Sequence, residues 1–399
     1  MNRETPQTRP YIHTSDAEPT LVETGEFDDM GVVEETVEGF HSIFALKVTS
    51  VPAFSEADRK RGLSWKDWAW ETLYRQIQFI ASLHRSLPDT ASPNPDLRSF
   101  ELCYIASGEG QVDIVLLAKA FDPERQRSRN LALSLSREIL ALFPGEYGLT
   151  PVTSEDGFRA CGLPESVEEI EGRWWIGEMR RYEEFIPLES ERQVREENYL
   201  VYPFTWTLTG MARVVEVLAN WAGPALVGVC LRPTWLYEAE ERQLCDLYAS
   251  FEKLGEVKWL KSRIQGQIGM QIYADYLRRL KRPFLMRVRF AGRDAEPDGL
   301  IRALGSALAA FPEDALDRDS EGYLDAPYEV VFPHGGTGEE LEVARYNFQL
   351  LEFDGWGEEL SLPRYRRFRY LVDARGANSA FRIPVGHWPL GCSFRGASA

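Results

Sequence analysis

The 399-residue sequence lacks any run of eighteen apolar residues and any pair of cysteines spaced as CxxC. A membrane-spanning helix needs about twenty mostly apolar residues, and structural zinc sites draw on closely spaced cysteines. The N-terminal residues have no apolar stretch typical of a signal peptide. Two of the five cysteines, Cys103 and Cys230, lie in apolar runs, where a small buried side chain is the ordinary role. These absences predict a cytoplasmic, reduced protein without membrane insertion or a structural metal.

Motifs of common enzyme classes are missing too. The dipeptide Gly-Lys does not occur, so there is no P-loop to hold nucleotide phosphates. The five histidines are far apart and form no HExxH motif, and neither GxSxG nor GxGxxG after a strand is present.

Two weaker candidate sites also fall short. The Gly-rich stretch at Pro333–Glu340 opens a helix with two glutamates, which suits helix capping better than anion binding. The stretch Asp317–Asp325 resembles a calcium loop, but Tyr328 stands where the bidentate glutamate belongs. We therefore predict no catalytic, cofactor-binding or metal-binding residue. An enzyme whose site no motif reveals remains an alternative.

The charge balance is strongly acidic, with a formal net charge of −17 and a pI near 4.9. Over most of its surface such a chain repels a phosphate backbone. Acidic residues are dense near the start, and residues 1–39 are predicted to be a disordered acidic tail. This tail either is simply solvated or docks onto a basic partner. The remainder, with 44% hydrophobic residues in the whole chain, is globular in composition.

The first half of the chain alternates strand and helix patterns in the order β-α-β-β-α-β. Apolar spacing predicts a strand over Phe40–Ser50 and a helix over Trp65–Leu87. The runs SFELCYIA and QVDIVLLAKAF predict a hairpin, and an amphipathic helix then ends at Pro144 before a short strand. Because this is the order of the ferredoxin-like fold, residues 40–163 are predicted to form one such module.

The second half repeats that order after a charged segment. Residues 164–198 are predicted to be a connector that docks through Trp174 and Trp175, and residues 199–360 a second module with a helical insertion. The helix ends EILALFP and SALAAFP correspond in the two halves, which indicates an internal duplication. The predicted class is α+β, with two tandem ferredoxin-like (β-α-β-β-α-β) modules with helical insertions. A C-terminal strand/helix segment and tail then occupy residues 361–399.

One dense basic and aromatic run, RYRRFRY, begins at residue 364 and is predicted to be a strand. Two interpretations stay open. The arginines could form a solvated or acid-paired face, or they could contact phosphates while the aromatic rings stack on bases. The residues of this nucleic-acid alternative are Arg364, Arg366, Arg367 and Arg369.

The sequence VDARGANSAFRIP, at residues 372–384, resembles a pattern of HerA/FtsK-superfamily ATPases, which are related to the conjugation motors of type IV secretion. In that family the pattern lies between an N-terminal α+β region and the motor core. PALVGVCLRPTWL and RSFELCYIA resemble upstream elements of the family, so the resemblance spans roughly Phe40 to Pro384. The family's Walker A loop is absent, and its Gly-Gly-rich continuation is replaced by GHWPLGCSF, so no catalytic residue is carried over.

The resemblance implies a non-catalytic assembly protein that works with a separately encoded HerA/FtsK-like P-loop ATPase. DNA translocation, conjugation or antiphage defence would be its setting, with DNA contacted at most indirectly. Large apolar groups in a Gly-rich tail often anchor interfaces, either with a partner or in self-association. The alternative is that they fold back onto their own domain. The expected interface residues are Trp388, Phe394, Phe381 and Arg382.

The missing phosphate-binding loop generates the first prediction. The purified chain should neither hydrolyse ATP nor bind MgATP tightly, because no Gly-rich loop and lysine are available to hold the β- and γ-phosphates. Isothermal titration calorimetry with MgATP checks this expectation. A micromolar dissociation constant would contradict it.

Overall fold

Strands make up the centre of the computed structural model, which describes residues 26–28, 31–36, 39–84, 98–106, 110–161, 174–186, 198–205, 207–257, 260–293, 297–309, 328–333, 339–353, 355–356 and 364–385. The strands are β1 (Glu26–Asp28), β2 (Gly31–Thr36), β3 (Gly39–Ser50), β4 (Ser99–Ala106), β5 (Val112–Asp122), β6 (Gly148–Pro151), β7 (Trp174–Arg181), β8 (Glu183–Phe185), β9 (Tyr199–Val201), β10 (Ala225–Pro233), β11 (Phe284–Arg293), β12 (Tyr328–Val331) and β13 (Leu371–Val372).

The helices are α1 (Glu56–Lys60), α2 (Trp65–Leu83), α3 (Arg125–Leu142), α4 (Glu155–Arg159), α5 (Gly210–Ala219), α6 (Glu238–Gly255), α7 (Leu260–Arg279), α8 (Asp298–Leu308), α9 (Glu339–Leu350) and α10 (Ala374–Ala377). Among these helices, none combines the length and the apolar character that crossing a lipid bilayer requires.

Eleven strands form one sheet in the order β1-β2-β3-β5-β4-β10-β11-β7-β12, with β6 beside β3 and β13 beside β11. Every strand pair in the described part of the chain is antiparallel, and β8 and β9 form a separate small sheet. The two halves of the chain meet where β4 pairs with β10, with Cys103 opposite Gly228. The protein is therefore an α+β protein with a mainly antiparallel sheet. The predicted hairpin is confirmed, since β4 and β5 pair with Ala106 opposite Val112.

Alternating side chains give the sheet two buried faces. On the first face, Phe44, Leu102 and Val227 belong to a core that also includes residues of α2, α3, α5 and α8. On the second face, Cys103 and Cys230 belong to a core that includes residues of α6 and α7. Because both faces are covered, the central strands are almost entirely buried, and their sequences are apolar runs rather than polar–apolar alternations.

Two expected boundaries differ from the structure. Residues 164–198, expected to be a connector, contain β7, which lies inside the sheet between β11 and β12. The charged residues of β7 led to the prediction of an exposed connector, but they are paired in the interior, as described below. The expected disordered tail at 1–39 contains β1 and β2, which extend the sheet beyond β3; the residues before Glu26 lie outside the described residues.

Two helices, α6 and α7, lie between β10 and β11 in the chain and pack closely on each other. Glycine permits this approach at Gly266, where an added Cβ would lie 2.3 Å from the backbone nitrogen of Gly255. A Cβ added at Gly255 itself would meet only ordinary contacts, the nearest at 3.7 Å. An added methyl group would therefore be poorly tolerated at Gly266 and well tolerated at Gly255, although the two glycines lie on facing helices.

This contrast generates the second prediction. Gly266→Ala should destabilise the protein by about 2–3 kcal/mol, because the new methyl group meets backbone that cannot move away without separating the helices. Gly255→Ala is the matched control and should be neutral or stabilising by up to about 1 kcal/mol. Urea unfolding of both variants measures the difference. Equal effects would show that α6 and α7 are not held at this distance.

Candidate interaction site at the C-terminal segment

The basic run that begins at Arg364 forms consecutive turns rather than the expected strand. Arg367 donates to Glu240 and to the Thr234 hydroxyl, both at 2.9 Å, and its guanidinium lies over the ring of Tyr237. Arg369 is buried and ion-paired with Glu183. Two of the four arginines of the nucleic-acid alternative are therefore committed to internal partners, and Arg369 cannot reach a phosphate in this conformation.

A buried arginine from β7 fixes the end of these turns. Arg181 donates to the carbonyl oxygens of Phe368, Arg369 and Leu371, the last at 3.0 Å. Each carbonyl would otherwise be an unsatisfied acceptor in the interior, which costs roughly 1–3 kcal/mol. The interactions of Arg181 explain why a run with strand-like alternation is held in turns.

The segment that carries the family resemblance packs on the first face of the sheet. Asp373 caps α10 by accepting a hydrogen bond from the backbone N–H of Gly376 at 2.6 Å. Ala377 and Ala380 are fully buried, and Phe381 lies in the same core as the sheet. The small alanines permit close packing here, and Phe381 anchors the segment in the core.

Hydrogen bonds fasten the residues that follow. The Tyr104 hydroxyl donates to the carbonyl of Arg382, and the Arg382 guanidinium donates to the carbonyl of Thr207 at 2.6 Å. The Gln76 amide exchanges two hydrogen bonds with the backbone of Ile383, at 2.9 and 2.8 Å. Phe381 and Arg382, expected to be interface residues, are instead 3% and 1% exposed, so the chain's own residues cover them. Trp388 and Phe394 lie outside the described residues.

The segment leaves the described region at Val385, on the surface of α2. Val385 is buried in a small cluster with Trp68, Ala69 and Leu73 of that helix. The next residue along α2 from each of the latter two is a large exposed aromatic: Trp70 is 42% and Tyr74 is 61% exposed. Aromatic side chains of this size are enriched at protein interfaces. The helix against which Val385 packs therefore also carries a candidate interaction surface.

Charged side chains fill part of the second face of the sheet, and we call five of them the ionic layer: Glu101, Glu178, Arg180, Arg287 and Arg289. Arg289 lies 2.8 Å from Glu101, and the Glu178 carboxylate lies 3.3 Å from Arg180 and 3.5 Å from Arg287. Gly228 makes room for the first pair, because a Cβ there would lie 2.1 Å from a Glu101 carboxylate oxygen.

Aromatic rings from α9 and the turn after it cover the ionic layer. The guanidinium of Arg289 lies 4.6 Å from the ring centre of Phe348, and that of Arg180 lies 5.0 Å from the ring centre of Trp356. Arg180 also donates to the Trp356 carbonyl at 2.6 Å. Leu351, where α9 ends, has a left-handed φ of 52°. Only a well-packed surrounding holds a non-glycine residue in that conformation, which costs about 1–3 kcal/mol.

A second charged group lies nearby, where Glu352 accepts from both Lys119 and Arg232. Burial alone would raise the pKa of Glu352, but the two cations outweigh it and hold the pKa below its usual value. Burial, assisted by the charge of Lys119, lowers the pKa of His41 from 6.5 to about 3. His41 is therefore neutral in the folded protein at physiological pH.

Sequence reasoning missed both charged groups. The signal was present, since charged residues stand at alternate positions of apolar strands, as at Arg287 and Arg289 in β11. A single charged residue in a strand pattern indicates a side chain that is exposed to solvent.

Across the part of the chain that is described, no cluster of three or more histidine, cysteine or acidic side chains is placed to hold a metal ion.

Comparison with models of known protein families finds no match. Comparison with curated protein sequences also finds none.

The neutral state of His41 generates the third prediction. The unfolded chain takes up a proton on this residue below about pH 6.5 and the folded chain does not, so stability falls as the pH falls. Between pH 7.5 and pH 5 His41 should contribute a loss of about 2 kcal/mol. Urea unfolding of the native chain and of His41→Gln at both pH values measures it. The variant should lose about that much less stability on acidification, and identical pH dependence would contradict the assignment.

Proposed function

We propose that this protein is a non-catalytic assembly protein that works with a separately encoded HerA/FtsK-like P-loop ATPase. The observation that carries the proposal is the placement of the C-terminal segment. The part that resembles the family's joining segment is built into the body as far as Val385, which packs on the helix that carries the exposed Trp70 and Tyr74. A motor joined in the family at this point would meet a helix that exposes parts of two large aromatic side chains.

The sheet order supports the duplicated architecture that we propose for the chain. The orders β6-β3-β5-β4 and β12-β7-β11-β10 each correspond to a β-α-β-β-α-β unit, with α2 and α3 in the first and α5 and α8 in the second. Each has the strand order 4-1-3-2 in its own numbering. We infer two tandem ferredoxin-like units joined edge to edge at β4 and β10, with α6 and α7 inserted in the second.

The buried charges favour a structural role over a catalytic one. The carboxylates of the ionic layer face arginines at ion-pairing distance, and the aromatic rings of Phe348 and Trp356 cover the layer. A catalytic carboxylate or lysine needs access to substrate, whereas Lys119 is fully buried against Glu352. These groups hold elements together, as expected of a rigid body that presents a surface to a partner.

The fourth prediction tests the partnership. A P-loop ATPase should co-purify with the full chain from its native cell, and a chain truncated after Val385 should lose this association. The truncation spares Val385 because that residue packs on α2. Its melting temperature should change by no more than about 2 °C, since the buried segment remains. Scanning calorimetry and mass spectrometry of the purified material provide the two measurements.

Two outcomes would contradict the proposal. If the truncated chain retains the ATPase, the residues after Val385 are not the attachment point. If no ATPase accompanies the full chain, and the chain shifts DNA in a salt-dependent manner that Arg364→Ala with Arg366→Ala abolishes, the nucleic-acid alternative is favoured instead.

A further inference from the structure

The outward sides of α6 and α7 carry opposite charges. Both helices contribute buried residues to the core on the second face of the sheet, so their remaining sides point away from the sheet. One line of exposed residues on α6, which we call the acidic stripe, consists of Glu238, Glu241, Cys245, Glu252 and Glu256. A line with similar spacing on α7, which we call the basic stripe, consists of Leu260, Arg263, Gln267, Gln271, Ala274 and Arg278.

The two helices form an antiparallel hairpin. Near the turn, the backbone of Gly255 in α6 lies directly beside Gly266 in α7. Four residues earlier in α6, the ring of Phe251 lies against Gly269, which is three residues later in α7. Positions that go backwards along α6 therefore lie beside positions that go forwards along α7, and the two stripes run side by side.

This packing brings the charges of the two stripes to matching levels. Counted from the contact between the two glycines, Glu241 and Arg278 are level to within about 3 Å along the helix axes, and so are Glu256 and Arg263. Among the described contacts, Glu241, Glu256 and Arg263 have no ion-pair partner. Arg278 pairs with Asp275 of its own helix, yet its side chain is still 68% exposed. The hairpin thus presents acid beside base at both ends.

A second copy of the chain is the partner that satisfies both stripes at once. A twofold axis parallel to the helices and above the hairpin would place the acidic stripe of each copy over the basic stripe of the other, with the levels unchanged. Glutamates would then face arginines at both ends of the contact. A polyanion such as DNA would satisfy the basic stripe alone, and the four glutamates of the neighbouring stripe would repel it.

The hairpin offers enough surface for such a contact. With 18 and 20 residues, α6 and α7 are about 27 and 30 Å long, and side by side they are roughly 20 Å wide. This footprint covers about 600 Å² on each copy, or about 1,200 Å² in total, which is the lower end of stable interfaces. Leu260 and Ile264, which are 61% and 41% exposed, add apolar contacts at one end.

We propose that two copies of this chain associate through their α6–α7 hairpins, with the acidic stripe of each against the basic stripe of the other. This inference goes beyond the proposed function, because it requires no motor. It uses the second face of the sheet, whereas the C-terminal segment and α2 pack on the first. The dimer would therefore present one copy of α2 on each of its two outer sides.

Charge reversal in the full chain tests the dimer, with sedimentation equilibrium as the measure of molar mass. At about 10 µM the native chain should sediment at twice the mass of one chain, given an affinity on the order of 1 µM. An acid-reversed variant, Glu241→Lys with Glu256→Lys, sets cation against cation and should weaken self-association at least about tenfold. A base-reversed variant, Arg263→Glu with Arg278→Glu, sets anion against anion and should do the same.

Mixing the two reversed variants is the decisive measurement. The lysines of one variant then face the glutamates of the other, and the two unaltered stripes remain complementary, so an equimolar mixture should form a dimer that contains one copy of each. All four substitutions in one chain should likewise restore the dimer. The control, Glu71→Lys with Glu124→Lys, makes the same change in net charge at exposed positions on the other face and should leave self-association unchanged.

The proposal is overturned if the native chain stays monomeric up to about 100 µM, where even weak specific interfaces associate. It is also overturned by a dimer that neither reversal weakens, or by a mixture that stays monomeric while both variants keep the native melting temperature. If a double variant loses stability, Glu241→Lys and Arg278→Glu repeat the test as single substitutions. A monomeric chain that binds duplex DNA until Arg263 and Arg278 are reversed would identify a polyanion surface instead.

Failure of this test is distinguishable from failure of the proposed function, because no motor is present in the experiment. The proposed partnership depends on the residues after Val385 and on co-purification from the native cell, and neither enters the measurement of mass.

Discussion

The pairing of buried charges across the second face of the sheet is the constraint on which much of this structure depends. Glu101 and Arg289 meet across the junction of β4 with β10 and β11, where the two halves of the chain become one sheet. Removing one partner of such a pair typically costs about 3–5 kcal/mol, although the intact pair adds little net stability. The pair therefore acts mainly on specificity. An assembly of the halves that left either charge without its partner would be strongly disfavoured.

That constraint extends to the C-terminal part of the chain. Aromatic rings within α9 and after it cover the arginines of the ionic layer, and Glu352 pairs with both Lys119 and Arg232. Arg181, on the opposite side of β7 from Arg180, holds the turns that precede α10. Side chains and carbonyls nearly two hundred positions apart thus form hydrogen bonds with one another. They hold the C-terminal segment so that its last described residue, Val385, packs against α2. The candidate interaction surface is a consequence of this internal pairing.

The predictions from sequence succeeded where local pattern and tertiary environment agree. The hairpin of β4 and β5 and the helix that begins at Trp65 both follow from hydrophobic spacing that acts over a few residues. They failed for β7 and for the run that begins at Arg364, because charged residues there indicate solvent exposure unless their partners are known. Those partners come from distant strands, and no local pattern identifies them.

The sequence by itself determined the α+β class, the order of most strands and helices, and the shortage of motifs for phosphate or metal chemistry. These properties depend on hydrophobic periodicity and on short motifs, both of which are local. Only the tertiary structure decided which arginines are buried, that Phe381 and Arg382 face inward, and that Val385 packs on the helix that carries Trp70 and Tyr74. The physical reason is that a charge or a large ring can be stable inside or outside, and its distant neighbours determine which.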